Sequence, residues 1–175
     1  MSPDVNATQS GCNSSNTSLR RDKTSIQVVE FLLGNEPFAI DLFEVKEVME
    51  YTSITPLPNT PDYMRGIIDL RGEITTIVDL KHRLNITEKC QESVDSSRII
   101  VLDSNLYQQK MGILVDDVTS VSTFDNQQVD YTSASGIKEN NTIIGIIKRS
   151  VGMQEKAKTE LIIWIDINQL LQGIS

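Results

Sequence analysis

The rhythm of apolar and polar positions changes at Ile26. Before it, from Met1 to about Thr24, Ser, Asn, Thr and Gln dominate and the aliphatics are scattered. Such a segment cannot bury enough surface to offset chain entropy, so a disordered tail is expected over residues 1–24, with the ordered domain over 25–175. From Ile26 the run IQVVEFLL reads as a strand, Gly34-Asn35-Glu36-Pro37 as a turn, and FAIDL as a second strand, giving an opening hairpin. Leu42, Val45, Val48 and Met49 then recur at spacings of three and four behind a candidate N-cap, Asp41. That pattern fits one or two helical turns or a twisted strand. The segment Thr55 to Pro61 carries Pro56, Pro58 and Pro61, which fix an extended, rigid connection.

Asn59 to Leu84 holds the densest local information. Ile68 and Leu70, then Ile74, Ile77 and Leu80, read as half-buried strands around a reversal at Arg71-Gly72. An arginine carried on a rigid hairpin is a contact residue more often than a catalyst. Asn85 to Ser97 is polar and marks a junction between two halves. Beyond it five short apolar runs, Arg98 to Asp103, Gln109 to Asp116, Val118 to Phe124, Thr142 to Lys148 and Glu160 to Ile165, predict a second small all-β unit. Asp166 caps a predicted closing helix in which Ile167, Leu170 and Leu171 form an apolar stripe. Two β-rich halves point to paired small barrels, since closure removes exposed strand edges.

Composition narrows the function classes. At 175 residues and 39% apolar, the chain has room for one domain or two small subdomains around a shared core. A net charge of -8, from 24 acidic and 16 basic residues, argues against an unassisted nucleic-acid or anionic-membrane binder, because phosphate would be repelled over most of the surface. Cys12 and Cys90 stand isolated in polar surroundings, as in a reduced cytosolic chain. Asn6, Asn13, Asn16 and Asn85 match the glycosylation acceptor pattern, but no apolar stretch near the N-terminus resembles a signal-peptide core and none elsewhere approaches a membrane span.

Catalytic candidates are few. His82, between Lys81 and Arg83, reads as a surface residue, and Trp164 as a large core residue with its N–H satisfied at an edge. Asp116 with Asp117, and Asp69 with Asp79, could suggest acid–base work or a divalent cation. Adjacent residues of a strand face opposite ways, however, and no Gly-centred calcium loop surrounds them. Phosphate-binding and nucleophile-elbow motifs are absent from the sequence. No cofactor and no metal is expected.

Taken together, GNEPFAIDLFEVKEVMEY, ITPLPNTPDYMRGIIDLRGEITTIVDL, RIIVLD, MGILVDDVTSV, IIGIIK and LIIWIDINQLL resemble the CheW family of bacterial and archaeal chemotaxis coupling proteins, from Ile26 to about Leu171. The most specific block is Pro61 to Leu80. The resemblance implies a mostly β fold of two intertwined SH3-like barrels of about five strands each. The subdomains would cover about 37–95 and about 96–165 with strand exchange, followed by a helix over about 166–172. It implies a non-enzymatic adaptor joining the cytoplasmic tip of methyl-accepting chemoreceptors to the regulatory domain of a CheA-like histidine kinase. Such a protein is cytoplasmic and recruited to receptor arrays, without inserting into the membrane.

The family's receptor-facing residues correspond here to Val45, Glu47, Arg65, Arg71 and Val121. Glu47 can also serve as a structural partner of Arg71, and Val45 and Val121 can equally be core. Two positions depart from the family pattern, Asp69 before Leu-Arg-Gly and Thr76 in place of a common proline, and Asp69 could pair with Arg65 or Arg71. Ser150 to Thr159 also looks longer than usual. The same fold in a non-taxis pathway serving pili, surface motility or gene regulation is the nearest alternative; a small β-barrel ligand-binding module or enzyme is the rival from another class.

Overall fold

In the computed structural model the described residues are 25–86, 96–104, 109–131, 142–152, 158–172 and 174. The expected tail, most of the polar junction with Cys90, and the centre of the Ser150 to Thr159 hairpin lie outside them.

The opening hairpin forms as the pattern predicts. β1 (Ser25–Leu33) pairs antiparallel with β2 (Glu36–Asp41) around a loop in which Gly34 takes a φ of +61°. Both faces of β1 are buried, which explains its nearly continuous apolar run. Ile26 and Val28 enter one core cluster with Phe124, Ile147, Ile162 and Trp164, while Val29, Phe31 and Leu33 enter another. A period of two has sorted alternate side chains into two cores.

After β2 the chain turns a corner in a single 3₁₀ turn, Leu42–Glu44, whose N-cap Asp41 accepts a hydrogen bond from the Phe43 N–H at 2.9 Å. β3 (Val45–Glu50) follows. The helix-or-strand ambiguity of Leu42 to Met49 thus resolves into a short turn and then a strand. β4 (Met64–Leu70) and β5 (Glu73–Asp79) form the second hairpin, and a short helix, Leu80–Arg83, is capped by Asp79. β6 (Arg98–Leu102) and β7 (Met111–Val115) come next, then β8 (Asp117–Asp125), the two-residue β9 (Val129–Asp130), β10 (Ile143–Val151) and β11 (Lys158–Ile165). Asp166 accepts from the Gln169 N–H and starts the closing helix Ile167–Leu171, which buries the three residues of its expected stripe.

These strands form two sheets, ordered β8-β1-β2-β11-β10-β9 and β3-β6-β7-β5-β4. Past the end of β3, Thr55 forms an antiparallel bridge with Ile67 on β4, bringing the two ends of the five-stranded sheet together. The mostly β architecture of two interlocked sheets is as expected, with one sheet gaining β9 as a sixth short strand.

β6 and β7 join the five-stranded sheet with β3, β4 and β5, and β2 joins the six-stranded sheet. Parallel pairs cause this: β11 lies on β2, with Ile163 opposite Phe38, and β7 lies on β5, with Ile113 opposite Val78. The five-stranded sheet is therefore one continuous stretch, and the six-stranded sheet is assembled from both ends of the described chain. A central core lies where the sheets meet, including Phe31, Ile40, Val78, Leu80, Ile113, Ile165 and Leu170, and Ile77, Ile99 and Leu114 contribute to a separate cluster on the five-stranded sheet. Trp164 is buried as expected, but its indole N–H has no hydrogen-bond partner among the described residues, contrary to the expectation of an edge contact.

Candidate functional site

Leu70 pairs with Glu73, leaving Arg71 and Gly72 as a two-residue loop with φ values of +55° and +84°. Positive φ at both positions matches the right-handed twist of the flanking strands, and it is uncommon for a side chain other than Gly, Asn or Asp. Asp69 supports the turn: its Oδ1 accepts the Gly72 N–H at 2.7 Å. This departure from the family pattern is therefore a turn device, and the expectation that Asp69 pairs with Arg65 or Arg71 is corrected.

Arg71 instead donates from Nη2 to Glu47 Oε2 at 3.0 Å, with the Arg71 side chain 77% exposed. Glu47 lies on β3 and Arg71 at the tip of β4, the two ends of the sheet order, so the pair spans the seam of the barrel. An exposed pair of this kind contributes at most about 1 kcal/mol to stability. It holds a guanidinium in place and in solvent.

The other three predicted positions take different places in the two sheets. Arg65 sits at the far end of β4 with its Nε 3.9 Å from the buried Asp79 Oδ2. Val45 opens β3, half-buried against the central core. Val121 is 60% exposed on β8, in the six-stranded sheet, whereas the other four residues belong to the five-stranded one. The structure thus brings Glu47 and Arg71 into contact and distributes Arg65, Val45 and Val121 over two sheets. Ile74, expected to be half-buried, is also 60% exposed, because Thr75 and Ile77 take the interior positions of β5.

The carboxylates that invited a catalytic or metal reading have structural partners. Asp79 accepts from the Lys81 and His82 N–H groups, and His82 Nδ1 lies 3.0 Å from its Oδ2. Asp116 accepts from the Gly34 N–H at 2.5 Å and from Lys81 Nζ. No group of three or more His, Cys, Asp or Glu side chains among the described residues could hold a metal ion. No helix among them is long and apolar enough to cross a membrane. Sequence reasoning missed Glu30, a lone carboxylate inside an apolar strand that is 1% exposed and receives Arg149 Nη1 on both oxygens at 2.9 and 2.8 Å. An acid in the middle of IQVVEFLL was the available signal.

Glu44, in the corner between the sheets, has its carboxyl raised to about 7 by burial and by Asp41 and Asp166. Asn168 Nδ2 donates to its Oε1 at 2.5 Å. A group held at a higher pKa in the folded state than in the unfolded chain binds its proton preferentially when folded, so stability falls as pH rises from about 4.5 to about 7 and then levels off. Urea midpoints of the wild type should decline over that window, and Glu44→Gln should flatten the decline. Equal pH slopes for the two proteins would contradict the assignment.

Residues 27–175 match the model of the CheW-like domain. The chain is 36% identical over 99 residues to a chemotaxis protein CheW of Klebsiella aerogenes, an alignment covering 57% of each chain. To a chemotaxis protein CheW of Treponema pallidum it is 30% identical over 147 residues, covering 84% of this chain and 82% of the relative. Among solved structures, the scaffolding protein TtCheW from Thermoanaerobacter tengcongensis superposes with a TM-score of 0.68 at 31% identity, over 84% of this chain and 92% of that one. With a family model spanning nearly all of the described fold, the chain belongs to the CheW family of chemotaxis proteins.

Proposed function

We propose that the protein is a non-catalytic adaptor that couples the cytoplasmic tip of methyl-accepting chemoreceptors to the regulatory domain of a CheA-like histidine kinase. The observation that carries this reading is the Arg71–Glu47 pair, an ionic contact presented to solvent on a rigid turn. Arginine in such a setting is enriched in binding hot spots, and its planar fork suits carboxylates. Val45, Glu47, Arg65, Arg71 and Val121 are proposed as receptor contacts. The mechanism is linkage: holding receptor and kinase together raises their effective concentration and lets the receptor's state bias the kinase. Phosphoryl transfer belongs to the kinase, and the adaptor works in the cytoplasm at the receptor array.

Arg71→Glu tests the proposal. The turn charge adds little to stability, so the variant should keep its circular dichroism and its denaturation midpoint while binding a receptor-tip fragment about 1–3 kcal/mol more weakly. Unchanged affinity in the folded variant would remove Arg71 from the interface.

A further inference from the structure

Asp79 closes β5 and divides its two carboxylate oxygens between two tasks. Oδ1 caps the short helix that follows, accepting from the Lys81 and His82 N–H groups at 3.0 and 3.3 Å. Oδ2 takes no part in those two bonds. It faces His82 Nδ1 at 3.0 Å and Arg65 Nε at 3.9 Å, from a side chain that is 5% exposed. The guanidinium comes from an irregular point in the sheet. The register of β4 on β5 shifts between Met64 and Gly66 and leaves Arg65 as the extra residue, and a bulge of this kind re-aims a side chain. The Asp79 N–H donates to the Tyr63 carbonyl at 2.7 Å, which fixes the end of β5 beside the start of β4.

A carboxylate oxygen can only accept, so the imidazole nitrogen that faces it carries the ring's proton. Nδ1–H is thereby turned to the buried Asp79, and Nε2, on the opposite edge of the ring, keeps its lone pair. The His82 side chain is 52% exposed although its Nδ1 edge lies against a buried carboxylate, so the edge that meets solvent is that of Nε2. A neutral imidazole held at one nitrogen by a carboxylate is an oriented nucleophile at the other. Arg65, half-exposed beside the same oxygen, selects the electrophile. A guanidinium next to the ring favours a group that carries negative oxygens, and its planar fork matches a phosphoryl group.

We infer that His82 is a phosphoryl-acceptor site, whose Nε2 takes a phosphoryl group from a phosphoramidate donor, the chemical class that includes phosphohistidine. The Nε2 lone pair forms the new P–N bond as the donor's P–N bond breaks. The donor nitrogen, protonated in the reactive form of such donors, departs as a neutral base with that bond's electron pair, and Nδ1–H stays on the Asp79 side. Exchanging one P–N bond for another requires no further reagent, so orientation governs the rate. Arg65 holds the transferred oxygens, and Asp79 acts through His82 as a positioning residue. The inference is independent of the adaptor reading.

The test incubates the full chain with phosphoramidate and follows an acid-labile, alkali-stable phosphate label by intact mass and phosphorus NMR. His82 is the single histidine of the chain, so one label is expected and His82→Gln should abolish it. The folded chain should label about tenfold or more faster than the same chain in urea, because unfolding releases the ring from Asp79 and Arg65. Asp79→Asn keeps an oxygen for the Lys81 and His82 N–H groups but no longer dictates the tautomer, and it should slow labelling about tenfold. Arg65→Gln leaves the cap untouched and should slow labelling less, which keeps the test decisive if circular dichroism shows Asp79→Asn to be unfolded. Absence of label, or a label that survives in His82→Gln, overturns the site. Equal rates in the folded chain, the unfolded chain and Arg65→Gln overturn it as well, since His82 would then react as any exposed imidazole does.

Discussion

Asp116→Ala should destabilise the fold by about 3–5 kcal/mol, the size expected when one partner is removed from a buried ion pair. Asp116 stands where the chain passes from β7 of one sheet to β8 of the other, and its side chain is 6% exposed. One oxygen receives the Gly34 N–H from the β1–β2 turn, and the other receives Lys81 Nζ from the short helix after β5. A single carboxylate thereby ties the turn of the six-stranded sheet to the end of the five-stranded one. Without it, the Gly34 N–H loses its carboxylate acceptor and the largely buried Lys81 ammonium loses its contact with Asp116. Urea denaturation should show the midpoint falling with little change in slope, and melting should drop by roughly 10 °C. A cost below about 1 kcal/mol would mean that water replaces the carboxylate at no penalty and that the crossing is not held this way.

Glu30→Ala is expected to be nearly as severe, about 3 kcal/mol, and to contrast with Glu160→Ala, which should cost under about 1 kcal/mol. Both acids bind Arg149, Glu30 through Nη1 and Glu160 through Nε and Nη2 at 2.9 and 2.6 Å. They differ in burial: the Glu30 side chain is 2% exposed and that of Glu160 is 40% exposed. Glu30 is on β1 and Arg149 on β10, strands that are not neighbours in the sheet, so the pair reaches across the sheet rather than along one ladder. Equal effects of the two truncations would show that burial does not govern the strength of this triad.

What could be read from sequence follows from where the controlling interactions lie. The two hairpins, the closing helix and its buried stripe were legible, because turn residues, period and caps act within a few positions. Sheet membership was not. The runs at Arg98 to Asp103 and Gln109 to Asp116 are as apolar as those that follow, and nothing local states that parallel pairing on β5 assigns β7 to the five-stranded sheet. Glu47 and Arg71 were legible as partners through family likeness and chemical complementarity, and the structure joins them. The role of Asp69 was misread, because an acid beside two arginines suggests an ion pair until the loop backbone is seen to offer the Gly72 N–H at 2.7 Å. Ile74 looked like a strand interior residue, yet β5 directs Thr75 and Ile77 inward and leaves Ile74 in solvent.

The adaptor account stands or falls on simultaneous occupancy. The most direct measurement loads the full chain with the regulatory domain of the kinase from the same organism and titrates that complex with the receptor-tip fragment, following mass by analytical ultracentrifugation. The account predicts saturable binding of the kinase domain near one to one, on a roughly micromolar scale, and then a ternary species in which the receptor fragment adds without displacing the kinase domain. Displacement of one partner by the other, or a folded chain that binds neither, would contradict it.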